Sequence, residues 1–213
     1  MPTDQFLDSL AADLRPVEPR RDTRDLAVFA ALAAVELAAF LTLDVKFVDL
    51  AAAVSSPSFW WKLTGLGLIT LVSVVTAIRS FDPAKSPRLG LRLGALLIAS
   101  ALVTGLALDL SYPTQATVLE RLAWQDGLRC VASMVGLSIP AIMALGYLMR
   151  RGAPTDRAGT SVAGGVAAAS WGAFVFAFAC PHFDPLYVVT WYMVGTAGIV
   201  IAARYAFLAV SRW

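Results

Sequence analysis

The chain has 213 residues, 58% of them apolar and 15% charged, with a formal net charge of +2 and a mean hydropathy of +0.70. Soluble domains carry roughly 45 to 50% apolar and about 25% charged residues, so a soluble globular domain is excluded and a membrane protein is indicated. The small and scattered positive charge excludes nucleic acid as the main partner.

The first stretch in chain order is polar. Thr3 can cap a helix in which Phe6, Leu7, Leu10, Leu14 and Val17 form an apolar stripe, with Asp4, Asp8 and Asp13 on other faces. Those aspartates sit where a signal peptide needs a basic region, so the start reads as mature protein. Pro16 and Pro19 break the helix before the basic RRDTR at 20–24. A helix lying on anionic lipid carries Lys and Arg, whereas this one carries aspartates ahead of Arg15. Three turns of amphipathic helix are marginal alone in water and gain stability by laying the apolar stripe into a groove. Residues 1–25 are therefore expected to dock a cytosolic protein, and residues 26–213 to form the membrane domain.

Six runs then reach the length of about 20 apolar residues that crosses a bilayer as helix: 26–43, 59–78, 89–108, 128–149, 160–180 and 186–208. The stretches between them carry helix-ending residues, as in SSPS at 55–58, FDPAKSP at 81–87 and RRGAP at 150–154. The expected fold is all-α, a six-helix transmembrane bundle with a short amphipathic helix before it. Arg15, Arg20, Arg21, Arg24, Arg79, Lys85, Arg88, Arg92, Arg150, Arg151, Arg157, Arg204 and Arg212 fall on one side, and only Lys46, Lys62, Arg121 and Arg129 on the other. The positive-inside rule then places both termini in the cytoplasm. The longest outer loop, 109–127, is expected to hold an interfacial helix near 118–124.

Within the spans, Glu36 is the one clearly intramembrane ionisable residue and a candidate for coupling or ion handling, or for a hydrogen bond to another helix. Lys62, Arg92 and Asp109 stand near span ends, from which a side chain can snorkel to the interface. Pro140 removes a backbone donor from the fourth span and is expected to kink it, with a hinge as its functional reading. Gly164, Ala168 and Gly172, beside Ser161, Gly165, Ala169 and Ala173, form two small-residue ridges that let neighbouring backbones approach the fifth span.

Cys130 and Cys180 fall at the same outer depth, where disulfides can form and persist. Cys130, close to an expected helix start and next to Arg129, is expected to be the more reactive thiol. Cys180, His182 and Asp184 in CPHFDP, with Cys130, offer a soft-metal ligand set on paper. Three readings stay open: apolar packing, a redox pair, or a metal-responsive site. The single histidine excludes an HExxH zinc site and argues against a Ser-His-Asp triad, and no phosphate-binding loop is present, so no catalytic residues are assigned. A small transporter or metal exporter using Glu36 and the thiols, and a membrane thiol redox protein, remain as alternatives.

LDSLAADLRPV at 7–17, RRGAP at 150–154 and CPHFDPLYVVTWY at 180–192, in that order, resemble the NrsF family over essentially the whole chain. That family consists of inner-membrane anti-sigma factors with six helices that restrain ECF sigma factors. The resemblance implies a non-enzymatic anti-sigma function in the bacterial inner membrane. It implies a sigma-binding element at Phe6, Leu7, Leu10, Leu14, Arg15 and Val17, and an outer sensor of heavy-metal or oxidative stress at Cys130 and Cys180, with His182 added as a candidate by the reading of CPHFDP above. It implies no resident cofactor beyond transient binding of a thiophilic metal ion. Glu36 and Pro140 are candidates for coupling the two ends.

Overall fold

The computed structural model describes residues 20–42, 54–112 and 114–210. The expected docking residues Phe6, Leu7, Leu10, Leu14, Arg15 and Val17 lie outside the described residues. The described residues form seven helices and no strand: α1 (Asp22–Thr42), α2 (Pro57–Ser80), α3 (Arg88–Leu110), α4 (Val118–Leu122), α5 (Trp124–Arg150), α6 (Arg157–Phe176) and α7 (Pro185–Val210). Six segments are long and apolar enough to cross a membrane, the fourth of them, Val118–Arg150, combining α4 with α5. α1 starts at Asp22, so the basic RRDTR stretch enters its first turn and the boundary expected at residue 25 falls inside a helix.

Local chemistry sets the helix ends. Pro57 occupies the first turn of α2, where its missing N–H is no loss. Thr117 and Glu120 form a reciprocal capping box on α4, the interfacial helix expected near 118–124. Ala123, with φ of 38°, turns the chain directly from α4 into α5. Asp156 caps α6 by accepting from the Gly159 N–H at 2.8 Å.

α6 is the centre of the bundle. It packs against α2, α5 and α7, while α3 flanks α2 and α7, and α1 lies against α5 and α2. In its most apolar stretch 78% of residues are buried, against 11% for α1 and α3. The small-residue ridges explain this position. Gly165 faces the Val200 backbone of α7, Gly164 faces Phe207, and Gly172 sits on the Met134 carbonyl and Ser138 of α5. Any side chain at these points would push a neighbour away.

The outward faces are apolar too: Val35, Leu96 and Val103 are each about two-thirds exposed. Such surfaces suit lipid rather than water. The core is divided along the bundle. One cluster, containing Ile78, Phe81, Leu145, Met149 and Phe207, fills the half towards the basic loops. The other, containing Cys130, Met134, Cys180, Tyr187 and Tyr192, fills the opposite half.

Candidate functional site

The two cysteines come together at the end remote from the basic loops. Cys130 stands in the second turn of α5 and Cys180 in the turn after α6, both buried and both free thiols. The two thiols interact with each other. Cys130 Sγ also lies 3.1 Å from the Tyr187 hydroxyl of α7. Tyr187 is fully buried, and His182 stacks on its ring at 4.1 Å between centroids. Beneath the pair, the buried Lys62 of α2 donates to the Cys180 carbonyl at 3.5 Å and lies over the rings of Phe183 and Tyr192.

Two expectations about this end are revised. α5 begins at Trp124, so Cys130 is past the first turn, where the helix dipole has fallen off. Arg129 points outward, 82% exposed, to Asp126. Neither feature therefore acts on the Cys130 thiol in the way the sequence suggests, and the cation close to the pair is Lys62. Lys62 itself turns inward instead of snorkelling, because the Cys180 carbonyl and two aromatic faces receive its ammonium.

Among the described residues, no three His, Cys, Asp or Glu side chains converge as a metal site. His182 faces Asp126 at 3.8 Å in addition to stacking on Tyr187. Asp184 receives a bidentate pair from Arg121 of α4, at 2.8 and 2.7 Å. Arg121 also pairs with Asp109 at the end of α3. The soft donors that remain adjacent are the two thiols. Lys62 and Arg121 were placed at this end by the charge count, but their contacts, and the parts played by Tyr187 and Tyr192, were missed from sequence. The aromatic spacing in LYVVTWY was the available signal for the tyrosines, since Tyr187, Trp191 and Tyr192 fall on the inward side of α7.

The basic end forms a platform. Arg20 pairs with Asp25 at 2.5 Å and lies over the Phe81 ring. The Ala153 N–H of the RRGAP loop donates to the Phe81 carbonyl at 3.1 Å, and Thr155 donates to the Pro83 carbonyl. Lys85 bridges Asp22 and Asp82 at 2.5 and 3.2 Å, and Asp22 followed by Asp82 raises its ammonium above the ordinary lysine value. Arg20, the first described residue, thus lies on a surface built by the 81–87 and 151–156 loops.

Glu36 lies between the two ends. Its Oε2 accepts from Trp171 Nε1 of α6 at 2.9 Å, joining α1 to the central helix. Trp171 is held by Phe29 and Phe174 in turn. Pro140 stands inside α5 between the thiol end and the platform.

An all-helical chain with six membrane-length helices, polar clusters at both ends and a lipid-suited exterior is a multi-pass membrane protein. The chain matches the family model described as "Negative regulator of sigma F" over residues 10–213. It belongs to the NrsF family. The Anti-sigma-F factor NrsF of Caulobacter vibrioides (strain NA1000 / CB15N) is 29% identical to it over 222 residues, covering 100% of both chains. No solved structure matches.

Proposed function

We propose that this protein is an inner-membrane anti-sigma factor that sequesters an ECF sigma factor through its N-terminal segment and releases it when heavy metal or oxidant reacts with Cys130 and Cys180. The observation that carries the reading is the family match from residue 10 to the C-terminus. The distribution of Lys and Arg supports an orientation with the basic platform and both termini in the cytoplasm and the thiols on the periplasmic side.

In the resting state Phe6, Leu7, Leu10, Leu14 and Val17 bury their stripe against the sigma factor, with Arg15 at the end of the helix, and hold it at the membrane away from RNA polymerase. Oxidation converts the two thiols to one disulfide, passing two electrons to the oxidant and releasing two protons. A thiophilic metal instead displaces the thiol protons and takes both sulfurs, and His182 joins them only by leaving its stack on Tyr187. Either product withdraws Cys130 from its Tyr187 contact, shifting the population between two packings of α5, α6 and α7. Pro140 and the RRGAP loop carry the shift to the platform, and Glu36 with Trp171 ties α1 to it.

Pull-down of the full-length protein from solubilised membranes, followed by mass spectrometry, tests the core claim. A sigma factor is expected with the parent chain and not with the Leu10→Asp, Leu14→Asp variant. Equal recovery with both chains removes the N-terminal segment from the mechanism, and recovery with neither removes the anti-sigma reading.

A further inference from the structure

A groove of about 370 Å³ runs between α2, α3, α6 and α7 in the membrane-spanning part of the bundle. Its walls are aliphatic, with Leu66, Ile69, Ile98 and Leu102 among them. Most polar groups that reach it are already satisfied within the protein. Trp61 Nε1 donates to the Ala101 carbonyl at 2.9 Å, Ser170 to the Ala167 carbonyl at 3.2 Å, and Thr196 to the Tyr192 carbonyl at 2.6 Å.

Two side chains at one end of the groove are different. Lys62 is 3% exposed, and among the described residues no carboxylate pairs with it; its one acceptor is a carbonyl at 3.5 Å. Tyr192 is 6% exposed, and its buried hydroxyl meets the Cys180 thiol, a weak acceptor that leaves it able to donate to a better one. Both can donate, and one is a cation taken out of water, which is costly unless an anion joins it. An apolar channel ending in convergent donors is the usual form of a site for a lipophilic molecule with a polar head.

We propose that this groove binds a long-chain fatty acid, its carboxylate held by Lys62 and Tyr192 and its chain lying along the aliphatic walls. The charge selects an acid over a neutral lipid, and the enclosure of Lys62 inside the bundle favours a small planar carboxylate over a phosphodiester headgroup. The site uses none of the residues assigned to sigma binding, so it stands whether or not the anti-sigma reading does.

The experiment is equilibrium binding of radiolabelled oleate to the full-length protein in non-ionic detergent, with melting temperatures recorded for every variant. Saturable binding of one oleate per chain is expected, with methyl oleate and a short-chain ubiquinone competing at least about ten-fold more weakly, because neither answers the ammonium. Lys62→Gln should weaken oleate by at least about ten-fold and Tyr192→Phe by a few-fold. Ala197→Trp, which fills the groove without touching the donors, should abolish binding and serves where Lys62→Gln fails to fold. Non-saturable uptake, equal competition by methyl oleate or the quinone, or parent-like binding by Lys62→Gln or Ala197→Trp would overturn the proposal. Competition by phosphatidylglycerol as strong as by oleate would assign the groove to phospholipid and overturn it equally.

Discussion

Asp184 shows how one side chain can be given over to structure. It accepts the Arg121 guanidinium through both oxygens, and its Oδ1 also receives the N–H groups of Leu186 and Tyr187 at the start of α7. Burial opposes its ionisation, but the Arg121 bonds and the Tyr187 and Leu186 N–H groups together outweigh that and hold its carboxyl below the usual carboxylate range. A depressed carboxyl contributes stability that is complete above its unfolded value, roughly 3.9, and is lost as pH falls through the lower folded value. Asp184→Asn should therefore lower stability at neutral pH by about 2 kcal/mol and blunt the further loss seen in the parent when pH drops below about 4. Thermal melts from pH 7 downward check this, and parallel curves for the two chains would refute it. The CPHFDP motif marked Asp184 as chemically interesting, and a metal ligand was a fair inference from spacing. Its actual partner lies 63 residues upstream, a distance no local pattern reports.

Among the elements, α6 was the most legible, because four-residue repetition of small residues is the direct sequence image of backbone contact. Its energetic consequence is specific to position. A Cβ added at Gly172 would stand 2.7 Å from the Met134 carbonyl oxygen and 2.9 Å from the Ser138 nitrogen, both backbone atoms of α5. At Gly136 of α5 an added Cβ meets nothing within 4 Å. Gly172→Val should then destabilise the bundle by about 3 kcal/mol, whereas Gly136→Ala should be neutral or stabilising by about 0.5 to 1 kcal/mol. Melting temperatures of the two purified variants decide this, and equal shifts would mean that α6 does not depend on close packing against α5. Helix ends were less legible. α5 starts four residues before the apolar run, at Trp124, because Ala123 adopts a left-handed conformation that a non-glycine residue seldom takes. Nothing in the local sequence announces that turn, and it is what carries Cys130 away from the first turn of its helix.

At the scale of the whole molecule, hydropathy and the Lys and Arg distribution made the six spans readable, because a bilayer imposes a length and a charge rule that soluble folds lack. The meeting of Cys130 with Cys180, Tyr187 and Lys62 required four helices to pack, so only the matching depth of the cysteines could be read beforehand. The residues proposed to bind the sigma factor lie outside the described part, and the proposal for them is drawn from the amphipathic pattern and the family. What joins the two ends is α5, whose 27 residues span about 40 Å at 1.5 Å per residue. It brings Cys130 to the thiol-end cluster and Leu145 and Met149 to the cluster near the basic loops. A covalent or metal bridge between Cys130 and Cys180 would tie α5 to the turn after α6, and the backbone contact at Gly172 packs the same two helices closely. The double variant Cys130→Ser, Cys180→Ser retains a hydroxyl opposite Tyr187 but can neither form a disulfide nor present thiolates to a soft metal. It should hold the sigma factor as tightly as the parent in unstressed cells and fail to release it under heavy metal or oxidant. Co-purification of the sigma factor before and after exposure reads this directly. Release by the variant to the parental extent would leave the bundle as an anchor and place the sensor elsewhere.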